Sequence, residues 1–281
     1  MFARRLLIAI LLALSLLASQ AQAGTTSCPG LYAQGEAPEI VKESLAVSTR
    51  EICYKSFVVM HSGLSRTPLW SAEHLTRSSV SSAEGLMRKN NFHPDPNLPP
   101  KERAELRDYS HSGYDRGHMA PNGDMPDPQS QYESFSLANM IPQNPNNNRN
   151  LWESIESAVR LLAKQQGEVY VVSGPLFLGE KVNSLNRRVL IPSHIFKAVY
   201  VPRFNKGAAY LVQNAPGNSY EVVSIAKLLE ISGIDVFPQL PASVKNSPFD
   251  LPHPQLHRQS NYDQLPFMSG KMYHLIKLLT Q

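Results

Sequence analysis

The chain has 281 residues, with 27 Lys and Arg against 23 Asp and Glu, and 42% of it is hydrophobic. That length supports one large domain with a full core. The small positive excess excludes a tight, static nucleic-acid coat protein and suits an enzyme that releases its products, with positive charge focused in one cleft.

Arg4 and Arg5 precede an apolar run over 6–17, and Ala21-Gln22-Ala23 is a small-residue cleavage site, the pattern of a secretory signal. The run is too short for a comfortable membrane span, and no later segment is apolar enough to cross a bilayer. The reading is therefore a signal peptide over 1–23 and a single domain over 24–281. Losing Arg4 and Arg5 leaves 25 basic against 23 acidic residues, a mature charge of +2. The signal looks bacterial, which directs the chain to the periplasm or the medium. Cys28 follows Thr26-Ser27 rather than a lipobox, so no lipid anchor is expected. Cys28 and Cys53 are the two cysteines, and export predicts that they pair. The bridge ties the N-terminal tail to the first strand.

Residues 52–60 are rich in β-branched and aromatic side chains and read as a strand, with a turn at His61-Ser62-Gly63. Residues 90–100 are rich in Pro, Asp and Asn and must be irregular. A short helix is expected over 101–106. Residues 134–141 alternate, with Phe135, Leu137, Asn139 and Ile141 on one face, and predict a strand that Pro142 ends. Residues 144–150 are a turn-rich lead-in to a helix over 151–166, capped by Gly167. Residues 168–177 form a near-continuous apolar, hence central, strand. Further strands follow over 195–201 and 208–213, joined by a Lys206-Gly207 turn. Helices are read over 222–231, ended by Gly233, and over 270–279. Strands come in runs with helices interspersed, so the class is α+β with a mostly antiparallel sheet flanked by helices. Residues 240–267 are Pro-rich and match no recognisable pattern.

The chemistry centres on Tyr114-Asp115-Arg116-Gly117-His118-Met119-Ala120-Pro121. A neutral imidazole takes a proton from water at physiological pH, and Gly117 is read as allowing a tight turn before it. Arg116 offers a guanidinium fork to a phosphate; its alternative is a salt bridge with Asp115 or another acid. Asp115 is read as structural, because a carboxylate touching a substrate phosphate repels it.

The ordered set of segments resembles the DNA/RNA non-specific endonucleases of the ββα-metal (His-Me finger) group. It comprises the Asp-Arg-Gly-His run, Ser136-Leu137-Ala138-Asn139-Met140-Ile141-Pro142-Gln143, Val171-Val172-Ser173-Gly174-Pro175, Ile191-Pro192-Ser193-His194-Ile195-Phe196-Lys197 and Ile234-Asp235-Val236-Phe237-Pro238. The resemblance implies a ββα finger with His118 as general base and Arg116 on the phosphate. It places the metal asparagine on Asn148, the helix glutamate on Glu156, Trp152 between them, and Asn139 hydrogen-bonded within the site. Arg66, four residues before Trp70, matches a phosphate-binding arginine. Asn148 read alone is also a good helix cap, and Asn146, Asn147 and Asn150 compete for either role. In a regular helix Glu156 is offset from Asn148 by about 80°, so it reaches the ion through the hydration shell.

The implied activity is hydrolysis of DNA and RNA by metal-assisted attack of water, leaving 5′-phosphorylated products. Mg²⁺ is the implied cofactor, with Mn²⁺ as its substitute. The implied partners are DNA, RNA and an inhibitor protein, with no membrane. Two alternatives stay open: an inactive nuclease-like surface protein that binds DNA, and a phosphodiesterase acting on small substrates. A zinc hydrolase is disfavoured, since the chain has no Cys-rich ligand set and its His-x-x-x-His pair, His253 and His257, falls in the Pro-rich 240–267 stretch.

Overall fold

The structure, a computed structural model, describes residues 26–256; the signal region and the helix read over 270–279 lie outside them. The chain opens with the short strand β1 (Glu39–Ile40), followed by β2 (Thr49–Cys53), β3 (Phe57–Ser62) and β4 (Thr67–Thr76). Then come β5 (Asp115–His118), β6 (Met140–Gln143), β7 (Glu168–Leu176), the small hairpin β8 (Ser184–Leu185) and β9 (Val189–Leu190), β10 (His194–Val201), β11 (Lys206–Gln213), β12 (Tyr220–Val223) and β13 (Ile234–Asp235). Seven strands form one antiparallel sheet in the order β12-β11-β10-β7-β4-β3-β2. The α+β expectation holds.

Side chains alternate across the central strands. Val172, Phe196, Ala198 and Tyr200 face a core shared with the helix Ile225–Ser232. Val169, Val171, Ile195 and Val199 face the opposite core. There the apolar stripe Leu151, Ile155, Val159 and Leu162 of the helical run 145–166 packs on the sheet. That helix, with the β5–β6 pair beside it, is the finger the sequence implied.

Several boundaries differ from expectation. Residues 52–60 are two strands, because polar Lys55 and Ser56 sit in a tight turn closed by Tyr54 N–H donating to Phe57 O at 2.9 Å. The helix expected over 101–106 is one turn later, at Leu106–Tyr109, where Glu105 N–H donates to Asp108 Oδ2 at 2.9 Å. Residues 134–141 are not one strand. Ser134 ends the helix Pro128–Ser134, which Asp127 caps, and a 3-10 turn Leu137–Asn139 precedes β6. Pro142 lies inside β6 rather than ending it. The turn between β10 and β11 is the 3-10 element Pro202–Phe204 with Asn205 left-handed at φ 48°, and β11 begins at Lys206. Residues 222–231 divide into β12 and a helix capped by Ser224, which accepts from Lys227 N–H at 3.1 Å.

Residues 240–256 acquire a place; the rest of the Pro-rich 240–267 stretch lies outside the described residues. The short helix Ala242–Lys245 anchors through Lys245 Nζ to Asp235 at 2.5 Å, and Pro248 bridges to Gly207. Tyr210 Oη then donates to Pro252 O at 2.5 Å, and Leu251 is buried. It is a strap across β11 and β12.

Cys28 and Cys53 form a disulfide across 25 residues. It holds the N-terminal segment against edge strand β2, where Glu51 also accepts from Thr26 Oγ1 at 2.9 Å and Tyr32 Oη at 3.0 Å. Replacing both cysteines by serine is expected to lower unfolding stability by about 3 kcal/mol, read from denaturant midpoints. Activity at low temperature should persist, since neither residue lines the cleft.

Candidate active site

A cleft of about 660 Å³ lies beside the finger. Its first wall is β5. Gly117 stands opposite Ile141 and is extended, not a turn. A Cβ there would lie 1.9 Å from Gln143 Oε1 and 2.6 Å from Gln143 Cβ, so close approach of β6 is what requires glycine.

His118 ends β5, is buried, and borders the cleft. Phe135 meets it edge-on at 5.1 Å and Phe92 lies at 5.8 Å. Burial, with the Arg88 and Arg116 guanidiniums nearby, pushes its pKa down to about 3, so the imidazole is neutral at physiological pH. Its Nε2 is buried without a hydrogen-bond partner among the described residues.

Asn139 accounts for how the strand end is fixed. Its Oδ1 accepts from Ala120 N–H at 2.9 Å and Ser71 Oγ at 2.8 Å, and its Nδ2 donates to Ala120 O at 2.9 Å and Ser134 O at 3.0 Å. Fully buried and saturated, it does not line the cleft. Trp152 Nε1 donates to His118 O at 3.4 Å from the helix side.

Arg116 stacks on Phe92, its guanidinium carbon 4.1 Å from the ring centroid, and no carboxylate pairs with it among the described residues. Asp115 instead takes Arg149 in a two-pronged pair at 2.7 and 2.8 Å and accepts from Asn148 Nδ2 at 2.9 Å. Burial pushes Asp115 up, but these donors outweigh it and hold its pKa below the usual carboxylate range. Because Asp115 occupies the amide nitrogen, Asn148 Oδ1 is the atom left for the cleft.

The helix begins at Pro145, earlier than expected, and Asn144 is its cap, accepting from Asn146 N–H at 3.0 Å and Asn147 N–H at 3.3 Å. Asn147 Oδ1 accepts from Gln143 and Asn146 Oδ1 from Gly217, and Asn150 Nδ2 donates to Asn146 O. Of Asn146, Asn147, Asn148 and Asn150, only Asn148 lines the cleft. Residues Asn148–Trp152 form a π-turn before the α-helix Glu153–Gln166. A π-turn advances less per residue than an α-turn. It thus withdraws much of the roughly 80° offset expected of a regular helix, and Asn148 and Glu156 line the same cleft.

Burial pushes Glu156 up to about 7, against the lowering effect of Lys197 and Arg160. Arg160, one turn on, is held by Asp124 at 2.8 Å. Beneath lies a polar patch in the sheet: Lys197 Nζ donates to Ser173 Oγ at 2.8 Å, and Glu73 is fully buried. Burial and the neighbouring Asp124 carboxylate raise Glu73 well above its ordinary range.

Arg66 is not brought to the cleft. Its backbone is left-handed at φ 56°, and its guanidinium donates to Lys101 O at 3.1 Å and Arg188 O at 2.7 Å. The second cleft arginine is Arg88, beside Phe135 at 5.2 Å. Sequence reasoning missed it because 84–91 has no periodicity. Arg160 was findable, four residues beyond Glu156 on a helix face. Glu73 and Lys197 were also visible, as charged residues within apolar central strands.

A cleft with hard oxygen donors on a helix, a neutral histidine on a facing strand and unpaired arginine defines a metal-dependent phosphodiester hydrolase of ββα-finger type. A sequence profile of the DNA/RNA non-specific endonucleases matches residues 36–243, and the chain belongs to that family. Nuclease C1 of Cunninghamella echinulata var. echinulata is 34% identical over 67% of this chain and 83% of its own length. The nuclease EXOG, mitochondrial, of Homo sapiens is 32% identical over 82% of this chain and 68% of its own length. That of Xenopus laevis is 36% identical over 66% of this chain, which spans only 58% of it. A solved structure of an EndoG/EndoGI complex superposes with TM-score 0.65 and 29% identity, covering 69% of this chain and 88% of that one.

Gly117→Ala should destabilise the protein by about 1–3 kcal/mol, the usual cost of overpacking, and abolish most activity by parting β5 from β6. Adding Gln143→Ala should not rescue either, because the Gln143 Cβ itself is in the way. Melting curves and cleavage rates of the two variants check this.

Proposed function

We propose that this chain hydrolyses DNA and RNA without sequence preference, with His118 taking the proton from the attacking water. The observation that carries the reading is His118: neutral, partnerless at Nε2, and facing the same cleft as Asn148 and Glu156. The donor set fits a hard divalent cation, since both groups offer oxygen and neither is a soft ligand. Among the described residues the one three-ligand cluster, Cys28, Glu51 and Cys53, has its thiols in the disulfide. The cleft therefore lacks an all-protein cage of such residues, which suits Mg²⁺ retaining most of its waters, with Mn²⁺ as substitute. When bound, the cation neutralises charge on the leaving 3′ oxygen.

The chain's own groups do the rest. Asn148 Oδ1 would hold the ion, oriented by Asp115, and Glu156 would hold its hydration shell. Arg116, pre-stacked on Phe92, and Arg88 stabilise the pentacovalent phosphate, a role that passes from Arg66 to Arg88. Asn139 acts as a positioning residue. Recognition through phosphate and metal reads the backbone, which carries no sequence information.

Plasmid DNA and RNA incubated with Mg²⁺ should both be cut, with chelator abolishing cleavage. Products should carry 5′-phosphates, and RNA products should lack 2′,3′-cyclic ends. His118→Ala should lose at least about 10²-fold in rate while still binding DNA. Cyclic ends on RNA, or inactivity on DNA, would refute attack by water.

Metal dependence should itself depend on pH. Glu156 is charged above about 7, and as pH falls through that value it gains a proton and loses its hold on the ion's shell. Below it, the Mg²⁺ concentration for half-maximal rate should climb about tenfold per pH unit, one proton being displaced per ion. Glu156→Gln should flatten that slope. A midpoint constant from pH 8 to 6 in the unmodified protein would exclude this linkage.

The signal-like segment and the disulfide support export of a single domain over 24–281. Several relatives are named mitochondrial, but the unbroken apolar run here differs from an amphipathic, Arg-rich transit peptide. The EndoG/EndoGI relative supports an inhibitor protein as a further partner.

A further inference from the structure

Residues 86–91 carry no regular secondary structure beside the cleft, yet successive side chains serve two different hollows. Arg88 and Asn90 line the cleft, whereas Met87, Lys89 and Asn91 line a second groove of about 330 Å³ behind them. Leu86 and Gln131 border both, so the two are neighbours.

The groove differs in chemistry from the cleft. Its far wall is Tyr132, which stacks on His93 with centroids 4.5 Å apart and planes 9° from parallel. Tyr132 is nevertheless 47% exposed and Met87 81% exposed. A ring already braced on one face and open on the other is a preorganised stacking platform, and Lys89 sets a cation beside it. An apolar, aromatic recess with a cation, reached from a phosphate-binding cleft, has the composition of a single-strand binding subsite.

We propose that this groove holds one unpaired nucleobase of the substrate strand, stacked on Tyr132, while the adjoining phosphates pass Lys89 and enter the cleft at Arg88. The proposal rests on the nuclease reading above. It makes single-stranded nucleic acid, or a strand locally unpaired, the substrate form held best, because a base within a duplex is already stacked.

The test is an abasic scan on the full mature protein. Single-stranded DNA 12-mers of one sequence, each with one abasic nucleotide at a successive position, are cleaved with Mg²⁺, and KM and kcat are measured. Cleavage is resolved bond by bond, since an enzyme without sequence preference has no single scissile bond, and the bond at one fixed distance from each abasic nucleotide should be cut about tenfold less at subsaturating substrate, in line with the loss of one base–aromatic stack. Tyr132→Ala should raise KM on the intact 12-mer by a similar factor and lose the response to that position; Tyr132→Phe should restore both. A flat scan in the unmodified protein, with DNA still cleaved, overturns the subsite alone. A response that persists in a folded Tyr132→Ala does the same. Failure to cleave any DNA or RNA overturns this inference together with the nuclease reading.

Discussion

The site depends on the buried amide of Asn139. It joins three pieces of chain distant in sequence: Ser71 of the central sheet, Ala120 just beyond β5, and Ser134 at the end of a helix. A buried amide must satisfy its donors and acceptor or lose a kilocalorie or more per orphaned group, about 1–3 kcal/mol each. With all four bonds made, the backbone two residues past His118 has one arrangement. The imidazole inherits that rigidity, which matters for the proposed role of His118 because proton transfer requires heavy atoms within hydrogen-bond reach.

The electrostatics follow from where the fold puts each sign. Arg88 and Arg116 lie near His118, and their charge, with burial, keeps the imidazole unprotonated. On the helix side, burial raises Glu156 while Lys197 and Arg160 restrain the rise. Two groups in one cleft thus have their pKa values moved in opposite directions, the imidazole down and the carboxylate up. Burial and the Asp124 carboxylate raise Glu73 below them well above the usual carboxylate range, in a patch where Lys197 sets the buried positive charge. Arginines held by stacking rather than by acids keep most of their donors free, although Arg88 Nε donates to Asn90 Oδ1 at 2.8 Å.

The central sheet was legible because its strands carry uninterrupted apolar runs, as in 168–177, and the helix over 151–166 because its stripe is regular. What failed was local. The break at Lys55-Ser56, the 3-10 turn at 137–139 and the cap at Asn144 each turn on one or two polar residues whose partners are remote. Asn144 N–H, for instance, donates to Asn214, 70 residues away. Of the site, His118, Arg116, Asn148 and Glu156 were readable as residues and do share one cleft. Arg88 was not, because it stands on an irregular segment whose course is set by tertiary anchors. Asp95 is one, accepting from Ser136 Oγ at 2.9 Å and from Asn97 N–H at 2.8 Å. Arg66 lies outside that cleft because spacing to a tryptophan says nothing about a left-handed backbone that turns the guanidinium onto carbonyls.

The π-turn shows how fold and function divide one helix. A wide turn is unfavourable in isolation and persists where tertiary contacts over-determine it. Here both of its ends are tied to β5, Asn148 to the Asp115 side chain and Trp152 to the His118 carbonyl. Leu151 and Trp152 are buried between those ties. Beyond the turn, Ile155, Val159 and Leu162 pack on the sheet and carry stability, while Glu156 and Arg160 keep the cleft side. One residue of extra width thus lets a single helix bury a continuous apolar stripe and still present Asn148 and Glu156 together.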